Sequence, residues 1–293
     1  MNRTPLRYPG GKQKLTPFIV EILECNSIDG HYVEPFAGGA GVALELLLSR
    51  RIKNIHLNDS DIRIYAFWHT VKHHSDELCR RISAASLDVN EWKFRREIVK
   101  NPSDFDLFEV GFSTFYLNRV NRSGVLNAGL IGGVNQNGNY KMDARFSRND
   151  LIRRIELIGI HADGLNISNL DAEEYITKYI PELPENCLIY LDPPYYNKAK
   201  DLYLNSYSKD DHARIAECIQ TEIHHRWILS YDSVPTIADL YPERRSFSYD
   251  LQYSAARNYK GKEIFIFSDR VNLPKRCGLT FIDDQLLSLA EYQ

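Results

Sequence analysis

The stretch YVEPFAGGAGVALELLL, residues 32–48, decides the fold class because it passes from a strand through a glycine-rich turn into a helix. The spacing of its aliphatic residues predicts a helix from Val42 to Leu48. A second short strand at residues 55–57 and a helix at about 62–71 come next. This order is typical of a βαβ unit, whose strands lie parallel in one sheet.

The chain beyond this unit changes its pattern twice. Residues of about 73–160 contain mostly helical patterns and then the irregular stretch GVLNAGLIGGVNQNGNY, residues 124–140, in which Asn137-Gly138 predicts a hairpin turn. Strands alternate with helices again from about residue 165. We therefore predict an α/β fold with a parallel-rich sheet, made of residues 1–72 and 161–293 and interrupted by an inserted helical module, residues 73–160.

The composition is that of an ordinary globular protein. The 293 residues are 43% apolar and 26% charged, with a formal net charge of −3. No apolar run approaches the roughly 18 residues of a membrane span, and the first residues lack the apolar stretch of a signal peptide. Five cysteines are scattered singly, without metal-ligand spacing. We expect a cytoplasmic protein with no membrane contact and no metal.

The glycine-rich turn and an acid downstream of it predict a cofactor that contains a nucleoside. Gly38, Gly39 and Gly41 let a ligand approach the backbone, and the helix after them offers unpaired N–H groups. Asp59 ends the next strand, where an acid can accept hydrogen bonds from both hydroxyls of a ribose. A tight turn without a ligand is the structural alternative, because the glycines do not form a full GxGxxG pattern.

A P-loop ATPase is disfavoured by the sequence around Lys12. The upstream glycine of the GxxxxGK[ST] motif is missing, and Gln13 stands where that motif has Ser or Thr. The sequence PGGK therefore needs another explanation.

The segment LIYLDPPYY, residues 188–196, joins a buried strand to a loop rich in hydrogen-bond acceptors. Pro193 and Pro194 stiffen the loop and remove two N–H donors, which leaves Asp192 and the loop carbonyls beside the ring of Tyr195. The exocyclic amine of a nucleobase donates two hydrogens and lies on an aromatic ring, so it fits such a surface. A proline-rich turn with a capping aspartate is the alternative.

Four motifs occur together in one order: RYPGGK at residues 7–12, VEPFAGGAG at 33–41, LND at 57–59 and LDPPY at 191–195. The set resembles the Dam-like class (D12 class, alpha group) of DNA adenine-N6 methyltransferases, which use S-adenosylmethionine. The resemblance extends over about residues 7–267 and includes FYLNR at 115–119 and the segment 253–267. It implies a Rossmann-like, S-adenosylmethionine-dependent methyltransferase sheet, with residues 73–160 as an inserted, mostly helical DNA-recognition domain that carries a hairpin-like loop.

The resemblance also implies roles for individual residues. Nine of them are expected to contact S-adenosylmethionine: Tyr8, Lys12, Phe36, Gly38, Gly39, Gly41, Asp59, Asp171 and Asp192. A solvated surface lysine is the alternative for Lys12, and helix capping is the alternative for Asp171.

The DPPY motif is expected to carry the reaction. Asp192, Pro193, Pro194 and Tyr195 would grip an adenine that has left the DNA helix, and its N6 would attack the methyl group in line. Asp192 and the Pro193 carbonyl would accept the amine hydrogens, so that neither a covalent enzyme intermediate nor a metal is needed.

The inserted segment is expected to bind double-stranded DNA. Residues 114–154 contain seven basic and two acidic residues, whereas the whole chain is acidic. The predicted DNA contacts are Arg119, Asn121, Arg122, Ser123, Asn127, Lys141 and Arg145. Asn127 stands where Dam-type enzymes that recognise GATC have arginine, so we assign no recognition sequence.

Other functions compete with this prediction. An RNA adenine methyltransferase, or a DNA-binding or modification-system component without activity of its own, would share several motifs. A protein amide methyltransferase usually shows NPPY in place of DPPY, and a nicotinamide-dependent oxidoreductase leaves DPPY unexplained. A restriction or defence-system partner is compatible with all the DNA-directed alternatives.

Overall fold

The computed structural model describes residues 3–8, 10–196, 207–253 and 259–274. Within these residues one seven-stranded sheet is formed by β1 (His31–Glu34), β2 (Asn54–Asn58), β3 (Leu165–Ser168), β4 (Cys187–Leu191), β5 (Arg226–Asp232), β6 (Ser246–Tyr253) and β7 (Tyr259–Phe267). The strand order is β3-β2-β1-β4-β5-β7-β6. Strands β1, β4 and β5 are parallel, and β7 runs antiparallel to both β5 and β6.

The helices within the described residues are α1 (Thr16–Cys25), α2 (Gly41–Leu48), α3 (Ile62–His73), α4 (Ser75–Ala84), α5 (Val89–Lys100), α6 (Leu107–Val120), α7 (Arg148–Ile160), α8 (Ala172–Glu174), α9 (Lys209–Glu222) and α10 (Pro235–Ala238). A π-helical turn, Tyr175–Tyr179, continues α8. Aspartates cap several helices, because a carboxylate satisfies the first N–H groups of a helix. Asp61 caps α3, Asp88 caps α5 and Asp106 caps α6.

The chain divides into two compact units. The described part of the first consists of residues 3–8, 10–13, 37–50 and 57–169. Its helices α3 and α6 pack along each other, with the rings of Phe67 and Phe115 stacked 6.0 Å apart. Helix α5 also packs on α6, and α4 packs on α7. This unit therefore contains most of the helices.

The described part of the second unit consists of residues 14–36, 51–56, 170–196, 207–253 and 259–274. Its core is built on β4 and β5, which are buried along almost their whole length and supply apolar residues such as Ile189, Leu191 and Leu229. Continuous apolar runs are typical of strands that are covered on both faces. Helix α9 begins with a capping box between Ser208 and Asp211.

The predicted α/β fold class is confirmed by the seven-stranded sheet and the helices around it. The predicted strands and helices lie within a few residues of the observed ones. The domain boundaries at residues 72/73 and 160/161 stay a prediction. None of the helices in the described residues is both long enough and apolar enough to span a membrane.

The predicted hairpin at Asn137-Gly138 is wrong. Residues 131–140, all of them described, form turns without strands, and an isolated antiparallel bridge joins Asn121 to Leu130 instead. Gln136 explains the difference, because its side-chain Nε2 donates to the carbonyl oxygens of Ile131 at 2.8 Å and Gly133 at 2.6 Å. These side-chain bonds close the loop in place of strand pairing.

Candidate active site

The glycine-rich turn of the first unit is held by backbone hydrogen bonds to the end of β2. The Ala37 N–H donates to the Asn58 carbonyl at 2.9 Å, and the Gly38 N–H donates to Asp59 Oδ2 at 2.9 Å. The indole N–H of Trp68, on α3, donates to the Gly38 carbonyl at 2.9 Å. The turn and Asp59 are therefore adjacent, as predicted.

Tyr8 lies directly against this turn. A Cβ atom at Gly38 would lie 2.7 Å from the Tyr8 ring, and one at Gly39 would lie 2.7 Å from the Tyr8 Cβ. Gly38 also has a φ of +44°, which disfavours other residues. The structure therefore brings three of the predicted cofactor residues together.

Lys12, another predicted cofactor residue, is only 6% exposed. The alternative of a solvated surface lysine is therefore wrong. Gly41 begins α2, and a Cβ there would lie 3.3 Å from the side chain of Gln13.

Asp59 has both carboxylate oxygens engaged by backbone donors, since Oδ1 accepts from the Asp61 N–H at 3.0 Å and Oδ2 accepts from Gly38. Desolvation of the carboxyl nevertheless raises the pKa of Asp59 to about 7, against the lowering effect of these bonds. An ionised carboxylate has further lone pairs with which to accept ribose hydroxyls.

Asp192 in the second unit is supported from the neighbouring strand. The parallel pairing of Leu191 with Leu229 places Ser230 beside the start of the DPPY loop. The Ser230 hydroxyl donates to Asp192 Oδ1 at 2.9 Å, so the Tyr190 hydroxyl, 2.8 Å from Ser230 Oγ, must be the donor in that pair. Burial and the charge of Asp192 raise the pKa of Tyr190 well above its usual range, which keeps that proton in place.

Two tyrosines follow the prolines, and both are fixed. Tyr195 is 2% exposed, and its hydroxyl donates to Glu263 Oε1 at 2.5 Å. The Tyr196 N–H donates to Asp232 Oδ1 at 2.9 Å. Sequence reasoning missed Ser230 and Glu263 because no local motif marks them; only strand register brings them to the loop.

Phe36 and Asp171, two other predicted cofactor residues, also belong to the second unit. Phe36 packs edge-on against Tyr207, with ring centroids 6.4 Å apart. The Asp171 side chain accepts from the Glu173 N–H at 2.9 Å and so caps α8. The capping alternative is thus observed for Asp171, and its contact with the cofactor stays a prediction.

The residues predicted to contact DNA differ in accessibility. Arg122, Ser123, Asn127, Lys141 and Arg145 are exposed. Lys141 Nζ also donates to the Gln136 carbonyl.

Asn121 requires a correction. It is fully buried; its oxygen accepts from the Trp92 indole at 2.8 Å, and its NH₂ group donates to the carbonyls of Val125 at 3.2 Å and Leu126 at 2.8 Å. All of its hydrogen-bonding groups are therefore engaged inside the protein. This reassigns Asn121 from DNA contact to loop support.

A cluster of four arginines, Arg7, Arg119, Arg145 and Arg154, lies in the first unit. Partial burial, followed by repulsion from Arg7 and Arg154, lowers the pKa of Arg119 to about 10, and Asp150 opposes this effect. Arg119 also donates to the carbonyls of Arg145 at 2.7 Å and Pro5 at 3.2 Å. Mutual repulsion at such a cluster favours a bound anion.

The part of the chain that the structure describes holds no group of three or more histidine, cysteine, aspartate or glutamate side chains that could bind a metal ion.

Comparison with known proteins supplies the family context. The model of the D12 class N6 adenine-specific DNA methyltransferases matches residues 8–254. The type II methyltransferase M.MjaIII of Methanocaldococcus jannaschii is 26% identical in an alignment of 232 residues, and the match covers 72% of this chain and 77% of that protein. The solved structure of the rRNA methyltransferase aviRa from Streptomyces viridochromogenes aligns over 90% of this chain and 87% of its own. The sequence identity is 11% and the TM-score is 0.39.

Proposed function

The chain belongs to the D12 class of N6 adenine-specific DNA methyltransferases, and on that premise we propose that it transfers a methyl group to the N6 of an adenine flipped out of double-stranded DNA. Membership of the family implies S-adenosylmethionine as the methyl donor. S-adenosylmethionine supplies an electrophilic methyl group on a sulfonium centre. The residues of this chain would bind the methyl donor, orient the adenine amine and contact the DNA.

The glycine turn brings together side chains whose chemistry fits the cofactor. Gly38 and Gly39 leave room for the Tyr8 side chain, which a Cβ at either position would meet at 2.7 Å. Asp59 beside the turn would accept the ribose hydroxyls, and the backbone N–H groups that it already binds hold it in place. Lys12, which is buried, would meet the cofactor's carboxylate.

Asp192 would be the acceptor that orients the adenine amine. The Tyr190 hydroxyl donates to Ser230, and the Ser230 hydroxyl donates to Asp192 Oδ1, so this carboxyl oxygen is fixed as an acceptor. The hydrogen bonds from Tyr190 to Ser230 and from Ser230 to Asp192 are the single observation that carries the proposal. As N6 takes up the methyl group it would gain positive charge while the donor leaves as a neutral thioether, and the N6 proton would then pass to the Asp192 carboxylate and on to solvent. A fixed carboxylate stabilises that charge.

Tyr195 would stack on the adenine. Because the side chain is 2% exposed, the proposal requires that binding of DNA uncovers one face of the ring. Base stacking on an aromatic ring typically contributes about 1–3 kcal/mol.

The exposed basic residues of the segment 114–154 would contact the phosphates of the DNA. The relative M.MjaIII is a type II methyltransferase, which favours a place for this chain in a restriction-modification system.

The test is incorporation of methyl label from S-adenosylmethionine by the purified protein into unmethylated plasmid DNA, total RNA and bulk protein. Digestion to nucleosides and mass spectrometry would identify the product. We expect N6-methyladenine in DNA, its loss in Asp192→Ala, and full activity in Asp239→Ala, which removes an exposed aspartate. Label only in RNA or protein, or none at all, would overturn the proposal.

A further inference from the structure

Glu263 links the DPPY motif to the antiparallel end of the sheet. Its carboxyl group is almost fully buried, at 1% exposure. Oε1 accepts from the Tyr195 hydroxyl at 2.5 Å, and Oε2 accepts from the hydroxyl of Tyr249. A buried carboxylate is costly unless it is hydrogen-bonded, and here each oxygen has a phenolic donor.

The strand register explains why these groups meet. On β7, Glu263 pairs with Tyr249 of β6 on one side and with Asp232 of β5 on the other. Asp232 binds the backbone N–H of Tyr196. Two acids in register on neighbouring strands therefore hold two consecutive tyrosines of the loop, one by its hydroxyl and one by its backbone.

Tyr249 of β6 donates to the other oxygen of Glu263 and does not belong to the DPPY motif. Its ring stacks on Phe265 with the centroids 4.3 Å apart and the planes 12° from parallel. Burial, and after it the charge of Glu263, raises the pKa of Tyr249 well above its usual range, so its hydroxyl keeps the proton that it donates. The two phenols bind different oxygens of Glu263, so either hydrogen bond can be removed without the other.

We propose that Glu263 is a positioning residue for methyl transfer, which fixes the direction of the Tyr195 ring so that the ring can stack on the target adenine. The proposal rests on the proposed function. The bond is made at the tip of the ring, so together with the backbone it fixes Tyr195 at both ends. When DNA uncovers a face of the ring, the hydroxyl stays on Glu263 and the ring axis does not move.

The test is a double-mutant cycle with a matched control. Glu263→Gln, Tyr195→Phe, the double variant and Tyr249→Phe are compared with the wild type for kcat and for the KM of S-adenosylmethionine on unmethylated plasmid DNA. Tyr249→Phe removes the other hydroxyl from the same carboxylate, so it matches Tyr195→Phe in its effect on the buried charge. A melting curve for each variant records the structural cost.

We expect Tyr195→Phe and Glu263→Gln each to lower kcat about tenfold, as for one lost bond to a charged acceptor, with the KM unchanged. The double variant should be no slower than the slower single variant, and Tyr249→Phe should stay within about twofold of wild type despite a similar loss of thermal stability. Full activity of Tyr195→Phe, multiplicative effects in the double variant, or an equal loss in Tyr249→Phe would overturn the proposal.

If Glu263→Gln fails to fold, the comparison of Tyr195→Phe with Tyr249→Phe decides the question. A wild-type protein without methyl transfer would refute the proposed function instead, so the two failures are distinguishable.

Discussion

Asn118 and Arg7 exchange two hydrogen bonds although 111 residues separate them: the Arg7 N–H donates to Asn118 Oδ1 at 2.7 Å, and Asn118 Nδ2 donates to the Arg7 carbonyl at 2.9 Å. The same Nδ2 donates to the Gly124 carbonyl at 2.9 Å. The next residue after Arg7 is Tyr8, which lies on Gly38. One side chain near the end of α6 therefore connects the turn at Gly124 to the chain segment that lies against the glycine turn.

Replacing Asn118 by alanine should weaken two binding events together. Three backbone groups would lose their partner, each at a cost of about 1–3 kcal/mol when buried, so Tyr8 and the turn at Gly124 would both be displaced. Calorimetry should show lower affinity for S-adenosylhomocysteine and for plasmid DNA fragments. Asn127→Ala, which changes an exposed asparagine, should leave the affinity for S-adenosylhomocysteine unchanged. A loss confined to DNA binding would contradict this connection.

The affinity for cofactor should depend on pH through Asp59. Its pKa of about 7 means that the carboxyl is largely protonated at pH 6 and ionised at pH 8. The ionised form is the stronger acceptor at both oxygens, so the affinity for S-adenosylhomocysteine should rise with pH up to about 7 and then level off. Titration calorimetry between pH 5.5 and 8.5 measures this, and Asp59→Asn should bind weakly with no such dependence. A flat profile in the wild type would exclude Asp59 as the titrating ligand.

The same raised pKa predicts the direction of a stability change. The folded state favours the protonated form, so the contribution of Asp59 to stability is fully present below its unfolded pKa near 3.8 and is lost as the pH rises through about 7. Thermal melts of the cofactor-free protein should therefore show a smaller decline in stability between pH 5 and 8 for Asp59→Asn than for wild type. An identical decline in both proteins would contradict the raised pKa.

Ser230→Ala should slow methyl transfer without weakening cofactor binding. The variant removes the donor to Asp192 Oδ1 and leaves the Tyr190 hydroxyl without its acceptor. We expect kcat to fall about tenfold or more, the loss for one bond to a charged acceptor, with an unchanged KM for S-adenosylmethionine. Ser233→Ala, which removes the hydroxyl directly after β5, is the control, because the Ser233 hydroxyl is hydrogen-bonded to Ser248 of β6. An unchanged kcat in Ser230→Ala would show that Asp192 is oriented by other groups.

Arg145→Ala should reduce the salt dependence of DNA binding. Arg145 is exposed and belongs to the arginine cluster. One lost phosphate contact lowers the slope of log K against log salt by about 0.9, so affinity should fall for all sequences alike. Fluorescence anisotropy at 50–300 mM salt (roughly the range over which such slopes are measured) would give the slope. Lys178→Ala, which breaks a surface ion pair with Glu174, should leave it unchanged; an equal effect in both variants would contradict a specific contact.

The sequence predicts those parts of the site that are local in the chain. The glycine turn, Asp59 and the DPPY loop each follow a strand, and the carboxyl ends of parallel strands carry the ligand sites of such sheets. The residues that orient them come from elsewhere: Ser230 and Glu263 by strand register, Trp68 and Asn118 by helix packing. Pairing and packing between distant segments leave no motif in a single sequence.

The loops of residues 121–140 are hard to predict from sequence, because glycine and asparagine suit several kinds of turn. Asn137-Gly138 indicated a hairpin, but the side chain of Gln136 closes the loop by another route. Asn121 was predicted to contact DNA, and the indole of Trp92 on α5 engages it internally instead. Both errors come from contacts that the local pattern does not encode.

The most direct test of the central claim, that Asp192 in the DPPY motif carries DNA adenine methylation, is long-read methylation mapping of plasmid DNA. The plasmid would come from cells that lack other methylases and express either this protein or its Asp192→Ala variant. The account predicts N6-methyladenine at every copy of one short sequence with the wild type and at none with the variant. Plasmid DNA without N6-methyladenine in either strain, or with the same methylation in both, would contradict it.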